Sequence, residues 1–252
     1  MKMRENNKRA GFLDEVRGFA ILCMVVYHVM FLLKFQFEVD VKIFFESWFS
    51  YIQSFFAGTF IFISGTVCRY SKNNIKRGAQ CFLLGMVVTF VVALFVPQFP
   101  ILFGILHFMG ICMILFGLGE KMWDYIPAFI GIIICVALFV LTFNVRNGYL
   151  GFGELSIALP DMLYEARLLF PLGFRYKGFD SADYFPLFPW MFLFFAGGYF
   201  GVYVKNNQMP AFFYKTRVRF LAATGRYTIW IYLLHQPIAF LILSIIFRNS
   251  EV

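Results

Sequence analysis

The chain has 252 residues, 61% hydrophobic and only 14% charged, and its mean hydropathy is +0.74. A soluble domain carries about 25% charged residues, and this much apolar surface does not fit inside one water-soluble core. The composition argues against a soluble enzyme, excludes a disordered or disulfide-rich secreted chain, and marks an integral membrane protein. The net charge of +8 sits mainly at the ends of apolar runs. No zinc finger, RNP-like string or separate basic helix accompanies it, so no nucleic-acid partner is expected. The five cysteines lie in or beside apolar runs without CxxC spacing, which reads as buried thiols with no metal or redox site.

A helix needs about 20 apolar residues to cross a hydrocarbon core of about 30 Å. Seven segments are predicted as spans. The first, 18–33, is short and ends at Lys34; the second is 47–67. Segments 78–96 and 101–119 form a hairpin around Pro97-Gln98-Phe99-Pro100, a run that breaks helices. Segments 125–145, 184–204 and 227–247 complete the set. The runs lack the alternation of a barrel, and backbone in lipid must satisfy its own hydrogen bonds. The predicted fold is therefore all-α: a polytopic membrane helix bundle of about seven transmembrane helices, forming one domain over 1–252.

Loop charge sets the orientation. Lys2, Arg4, Lys8, Arg9 and Arg17 precede or open the first span, and Arg69, Lys72, Lys76 and Arg77 link the second to the third. Lys121 links the fourth to the fifth, and Lys205, Lys215, Arg217, Arg219 and Arg226 link the sixth to the seventh. These fifteen face Lys34, Lys42, Arg146, Arg167, Arg175, Lys177 and Arg248 on the other side, so the amino terminus is expected to be cytoplasmic. The first span has no small-residue cleavage site and is not read as a signal peptide. The loop 146–183 is the one long extramembrane piece, and its stretch 155–169 is expected along the interface. No internal repeat of the transporter kind is visible.

All three histidines, His28, His107 and His235, fall inside predicted spans. At 1.5 Å per residue, His28 lies about 15 Å and His235 about 12 Å from the cytoplasmic end, with His107 about 9 Å from the outer end. Ionisable residues in the membrane usually line a site or pathway, although a neutral histidine can also serve as glue between helices. Arg17 precedes His28 by eleven residues, a turn of only about 20°, so the two share a face. Asp14 lies close to that face if the helix starts early. This stripe suits an anionic ligand held at Arg17 with its far end at His28; the plainer reading makes Asp14 a cap and Arg17 a topology anchor.

Glycines flank His107 in Gly104-Ile105-Leu106-His107-Phe108-Met109-Gly110 and leave room for a helix or ligand at the ring. Thr228 and His235 share a face, with Tyr232 beside them, while Arg226 points elsewhere and marks the boundary. Asp183, before Tyr184-Phe185-Pro186 and Pro189-Trp190, either caps a helix or receives a substrate at the outer mouth. No Walker loop, G-x-S-x-G or H-E-x-x-H occurs.

Four stretches together resemble the heparan-alpha-glucosaminide N-acetyltransferase-like family, within the transmembrane acyltransferases. They are Leu13-Asp14-Glu15-Val16-Arg17-Gly18-Phe19-Ala20-Ile21 leading to Tyr27-His28; Phe103-Gly104 through Gly110; Asp183 through Trp190; and Gly225-Arg226-Tyr227-Thr228 leading to Tyr232-Leu233-Leu234-His235-Gln236-Pro237. Leu32 stands where the family often has an acidic residue, four after the first histidine. The short chain resembles a minimal bacterial member of the cytoplasmic membrane rather than the lysosomal ones.

The resemblance implies transfer of an acetyl group from cytoplasmic acetyl-CoA to an amine or hydroxyl of a sugar or glycoconjugate on the other side. His28 would be the general base, with a transient acyl-histidine left open. His107 and His235 would polarise the thioester carbonyl or position the acceptor. Arg17, Asp14, Arg69, Lys76, Arg77 and Arg226 are the candidates at the polyanionic donor. Asp183, Trp190, Thr228 and Tyr232 are those at the acceptor. The partners are membrane lipid, acyl-CoA and a glycan, and a homo-oligomer is left open. Two other readings stand beside this one: a proton-coupled transporter using the histidines as a relay, and a non-catalytic subunit in which they only join helices.

Overall fold

The computed structural model describes residues 9–248. Lys2, Arg4 and Lys8, which entered the orientation count, lie outside the described residues, as does the side chain of Arg248. The helices are α1 (Gly11–Phe35), α2 (Ser47–Cys68), α3 (Asn74–Phe95), α4 (Ile105–Leu118), α5 (Glu120–Tyr125), α6 (Ala128–Thr142), α7 (Met162–Glu165), α8 (Leu187–Lys205), α9 (Arg219–Arg226) and α10 (Thr228–Arg248). Between α6 and α8, β1 (Tyr149–Leu150) pairs antiparallel with β2 (Ile157–Ala158).

The fold is all-α and polytopic, and the protein is an integral membrane protein. Among the described residues, six helical stretches are long and apolar enough to cross a membrane: α1, α2, α3, α8, α10, and α6 with its extension to Asn147. Their outer faces show why. Leu83, Val87, Phe90 and Leu94 on α3 are exposed, as are Ile238, Leu241 and Ile245 on α10. Water would penalise such continuous apolar surface, whereas lipid accommodates it.

Three of the boundaries that differ from the sequence expectation have a visible cause. Helix α1 starts at Gly11, seven residues early, because its polar first turns find partners within the fold. Helix α4 has 14 residues, about 21 Å, where 101–119 was expected. Before it the chain is extended: Phe103 forms a parallel bridge with Tyr184, and Phe185 N–H donates to Phe103 O at 3.0 Å. Helix α8 starts at Leu187 and is interrupted at Phe188 (φ −88°, ψ 130°), since a residue before proline is driven out of the helical region.

The chain divides into two compact units, Met1–Phe60 with Asn207–Val252, and Ile61–Asn206. In the first unit α1 packs on α9 and α10. The crossing of α1 and α9 is made by two glycines. A Cβ on Gly18 would stand 2.0 Å from the Leu221 carbonyl oxygen, and one on Gly225 would stand 1.9 Å from that of Asp14. Small residues let helix backbones approach this closely in a membrane. In the second unit α3 packs on α4, and α6 on α8. There Gly65 and Gly197 bring the end of α2 against α8, with Gly65 beside the Phe194 carbonyl and Gly197 beside that of Phe62.

Candidate functional site

In the first unit the α1–α9 crossing organises a charged cluster. The helix has Ala10 as its N-cap with no side-chain cap, so Asp14 is a first-turn residue rather than the cap. Its carboxylate pairs with Arg9 at 2.8 Å and with Arg226, the last residue of α9, at 3.7 Å. Arg226 is thereby directed toward α1. Arg17 donates from Nη2 to Thr228 Oγ1 at 2.9 Å, and Thr228 is buried where α10 begins. Glu15, only 6% exposed, accepts from the backbone N–H groups of Arg217 and Val218, the latter at 2.8 Å. Those are the amides of the two residues that lead into α9, Val218 being its N-cap.

Sequence reasoning passed over Glu15. The signal was present: Gly11, Glu15 and Gly18 fall on one helical stripe, and a carboxylate between two glycines on a packing face must find donors.

One helical face further along α1 comes His28, brought by the fold to His235 on α10. His28 Nδ1 and His235 Nε2 are 2.6 Å apart. The ring centroids are 4.9 Å apart and the planes differ by 20°, the arrangement of rings meeting edge to edge through a nitrogen–nitrogen hydrogen bond. His235 Nδ1 in turn lies 2.7 Å from the Tyr232 carbonyl oxygen and 3.1 Å from that of Ile231. Tyr27 and Tyr232 flank the pair, each with its ring centroid 5.8 Å from the neighbouring imidazole. Tyr232 thus contributes its carbonyl and its ring.

His107 belongs to the second unit. Its ring meets the edge of Phe82 at 5.3 Å and stacks on Phe103 at 5.8 Å. Gly85 on α3 makes room for it, since a Cβ there would stand 3.0 Å from its Nδ1. The residue is 3% exposed, and among the described residues neither ring nitrogen has a hydrogen-bond partner. A neutral imidazole always carries one N–H, and leaving it unmatched in a buried site is costly.

Asp183 caps a helix, but not its own. Its Oδ2 accepts from Ile105 N–H at 3.0 Å, at the start of α4, two residues before His107. Asp183→Ala is expected to destabilise the protein by about 1 kcal/mol, with Asp183→Asn milder; thermal unfolding of the purified variants checks this. Trp190 packs on Phe139 and Phe185, both at 5.8 Å. Arg69 is engaged in packing, its side chain 8% exposed. It pairs with Asp124, donates to the Gly198 carbonyl at 2.9 Å and lies over the Phe116 ring at 5.0 Å. Lys76 and Arg77 are exposed on the first turn of α3, where Asn73 caps the helix by accepting from Lys76 N–H at 2.8 Å.

The fold therefore brings together Asp14, Arg17, Arg226 and Thr228 in one cluster, and His28, His235 and Tyr232 in another, all in the first unit. His107, Asp183, Trp190, Arg69, Lys76 and Arg77 belong to the second. Compared with known proteins, the family model described as Heparan-alpha-glucosaminide N-acetyltransferase, catalytic, matches residues 9–237. No curated protein and no solved structure matches the chain.

Proposed function

The chain belongs to the heparan-alpha-glucosaminide N-acetyltransferase catalytic family, a family of membrane acetyltransferases, and from that premise we propose that it transfers an acetyl group from cytoplasmic acetyl-CoA to an amine or hydroxyl of a sugar or glycoconjugate presented across a bacterial cytoplasmic membrane. The observation that carries the reading is the extent of the match. It runs through both compact units and takes in all three histidines and the Asp14–Arg17 stripe. On that ground we treat the chain as one acetyltransferase domain.

In the proposed reaction His28 is the general base. It takes the proton of the acceptor N–H or O–H as that atom attacks the acetyl carbonyl. The tetrahedral adduct collapses with cleavage of the C–S bond, and the proton goes on to the departing CoA sulfur. Base catalysis of this kind contributes about 10²–10⁴-fold. For His107 we propose a hydrogen bond from its N–H to an acyl or acceptor oxygen, a role supported by its unmatched ring nitrogens. Arg17, held by Thr228, is the proposed contact for CoA phosphate, with Arg226, Lys76 and Arg77 as further cations and Asp14 as the group that orders Arg226, whereas Arg69 is taken up by Asp124 and the packing around Phe116. Asp183, Trp190 and Tyr232 remain the proposed acceptor-side residues, Asp183 acting through the start of α4, whereas Thr228 serves the donor side through Arg17.

Acetyl-CoA binding to the protein in nanodiscs tests the donor half without an acceptor. Arg17→Ala is expected to weaken binding at least tenfold, and His28→Ala to leave it within about threefold. No binding of acetyl-CoA or longer acyl-CoA to the folded wild type would overturn the reading.

A further inference from the structure

We infer that His235 is a positioning residue. It fixes His28 in the tautomer with its proton on Nδ1 and its lone pair on Nε2, and it shares the positive charge when His28 takes a proton. The inference rests on the proposed role of His28 as the base.

The argument starts at the end of the hydrogen-bond chain that has no freedom. The carbonyl oxygens of Ile231 and Tyr232 can only accept, so the His235 Nδ1 facing them at 3.1 and 2.7 Å carries the proton. Neutral His235 then presents a lone pair at Nε2. His28 Nδ1, 2.6 Å away, must donate to it. That assigns the proton of neutral His28 and leaves Nε2 as the only basic nitrogen of the pair.

With both nitrogens of His235 committed, it has no N–H left for a substrate carbonyl, so it acts through His28. When His28 Nε2 accepts a proton, the pair becomes a single cation. The Nδ1 proton can move along the existing bond to His235 Nε2, and the charge then faces two carbonyl dipoles. No bond to substrate is needed, and the proton count balances, with one gained at His28 Nε2 and one shifted within the pair. A third group that orients a base in this way holds its tautomer as much as its position.

The first test is nitrogen NMR of the ¹⁵N-histidine-labelled protein in nanodiscs, where only three imidazoles contribute and a His107→Gln variant identifies one of them. His28 and His235 are both expected to show a protonated Nδ1 and an unprotonated Nε2. His235→Gln, whose amide oxygen can accept from His28, is expected to keep the His28 tautomer, and His235→Leu to release it. A proton on Nε2 of His28 in the wild type, or an unchanged tautomer in His235→Leu, overturns the inference.

The second test is CoA release from acetyl-CoA with glucosamine as the probe acceptor. His235→Leu is expected to lower kcat by about 10²-fold or more with KM for acetyl-CoA little changed, and His235→Gln to restore most of it. Equal loss in both variants overturns the inference. The NMR arm needs no turnover, so a wild type with the expected tautomers but no acetyl transfer in any acceptor screen overturns the enzymatic reading and leaves the pairing standing.

Discussion

A His28→Asn variant is expected to lose about 10²–10⁴-fold in kcat while folding normally and binding acetyl-CoA as the wild type does. Asparagine is the informative substitution because its amide nitrogen stands near the place of Nδ1. It can still donate to His235 Nε2, the contact that measures 2.6 Å in the native pair. What it removes is Nε2, the nitrogen that carries the lone pair. Loss of structure and loss of the base are thereby separated. Unfolding temperature and acetyl-CoA affinity report on the first, and single-turnover acetyl transfer on the second. If His28→Asn transfers acetyl at the wild-type rate, His28 is not the base. A purely structural histidine would instead show its loss in His28→Leu, which also removes the contact to His235, as a fall in the unfolding temperature, and would leave the chemistry of His28→Asn unchanged.

The second large effect is expected at the crossing of α1 and α9. Gly225→Ala puts a methyl group 1.9 Å from the Asp14 carbonyl oxygen, and Gly18→Ala puts one 2.0 Å from that of Leu221. Both obstacles are backbone, so the helices must separate rather than a side chain swing away. Overpacking of this kind costs about 1–3 kcal/mol, and these contacts belong at the upper end. For a chain of this length that corresponds to a fall of about 5–10 °C in Tm. Separation would also pull Glu15 from the amides of Arg217 and Val218, and Arg226 from Asp14, so acetyl-CoA binding should weaken along with stability. Ala223→Leu provides the control. It lies on the same helix but is exposed, and its effect should stay within about 0.5 kcal/mol. Equal Tm values for Gly225→Ala and Ala223→Leu would show that the close crossing does not hold this unit together.

Much of this was legible in the residues. Apolar length is a local property, so the helices 47–67, 78–96 and 227–247 are found within a few residues of their expected ends. Where the ends moved, the cause was distant chain: the bridge of Phe103 with Tyr184 shortened α4, and the partners of Asp14, Glu15 and Arg17 lengthened α1. The helical period, also local, placed Arg17 and His28 on one face of a single helix once α1 began early enough to hold both.

The sequence by itself determined that the protein lives in a membrane, which long apolar segments are helical, where its three histidines fall along them, and which family it resembles; the short polar helix α9 was not among them. Only the tertiary structure decided which polar groups meet. His28 and His235 are 207 residues apart in the chain, and no spacing rule joins them. Asp183 caps a helix that begins 78 residues before it, and Glu15 holds the entry to one that lies some two hundred residues later. Hydropathy and helical period act through neighbours along the chain, whereas a buried donor or acceptor takes whatever partner the packing of glycine-lined helices brings within about 3 Å.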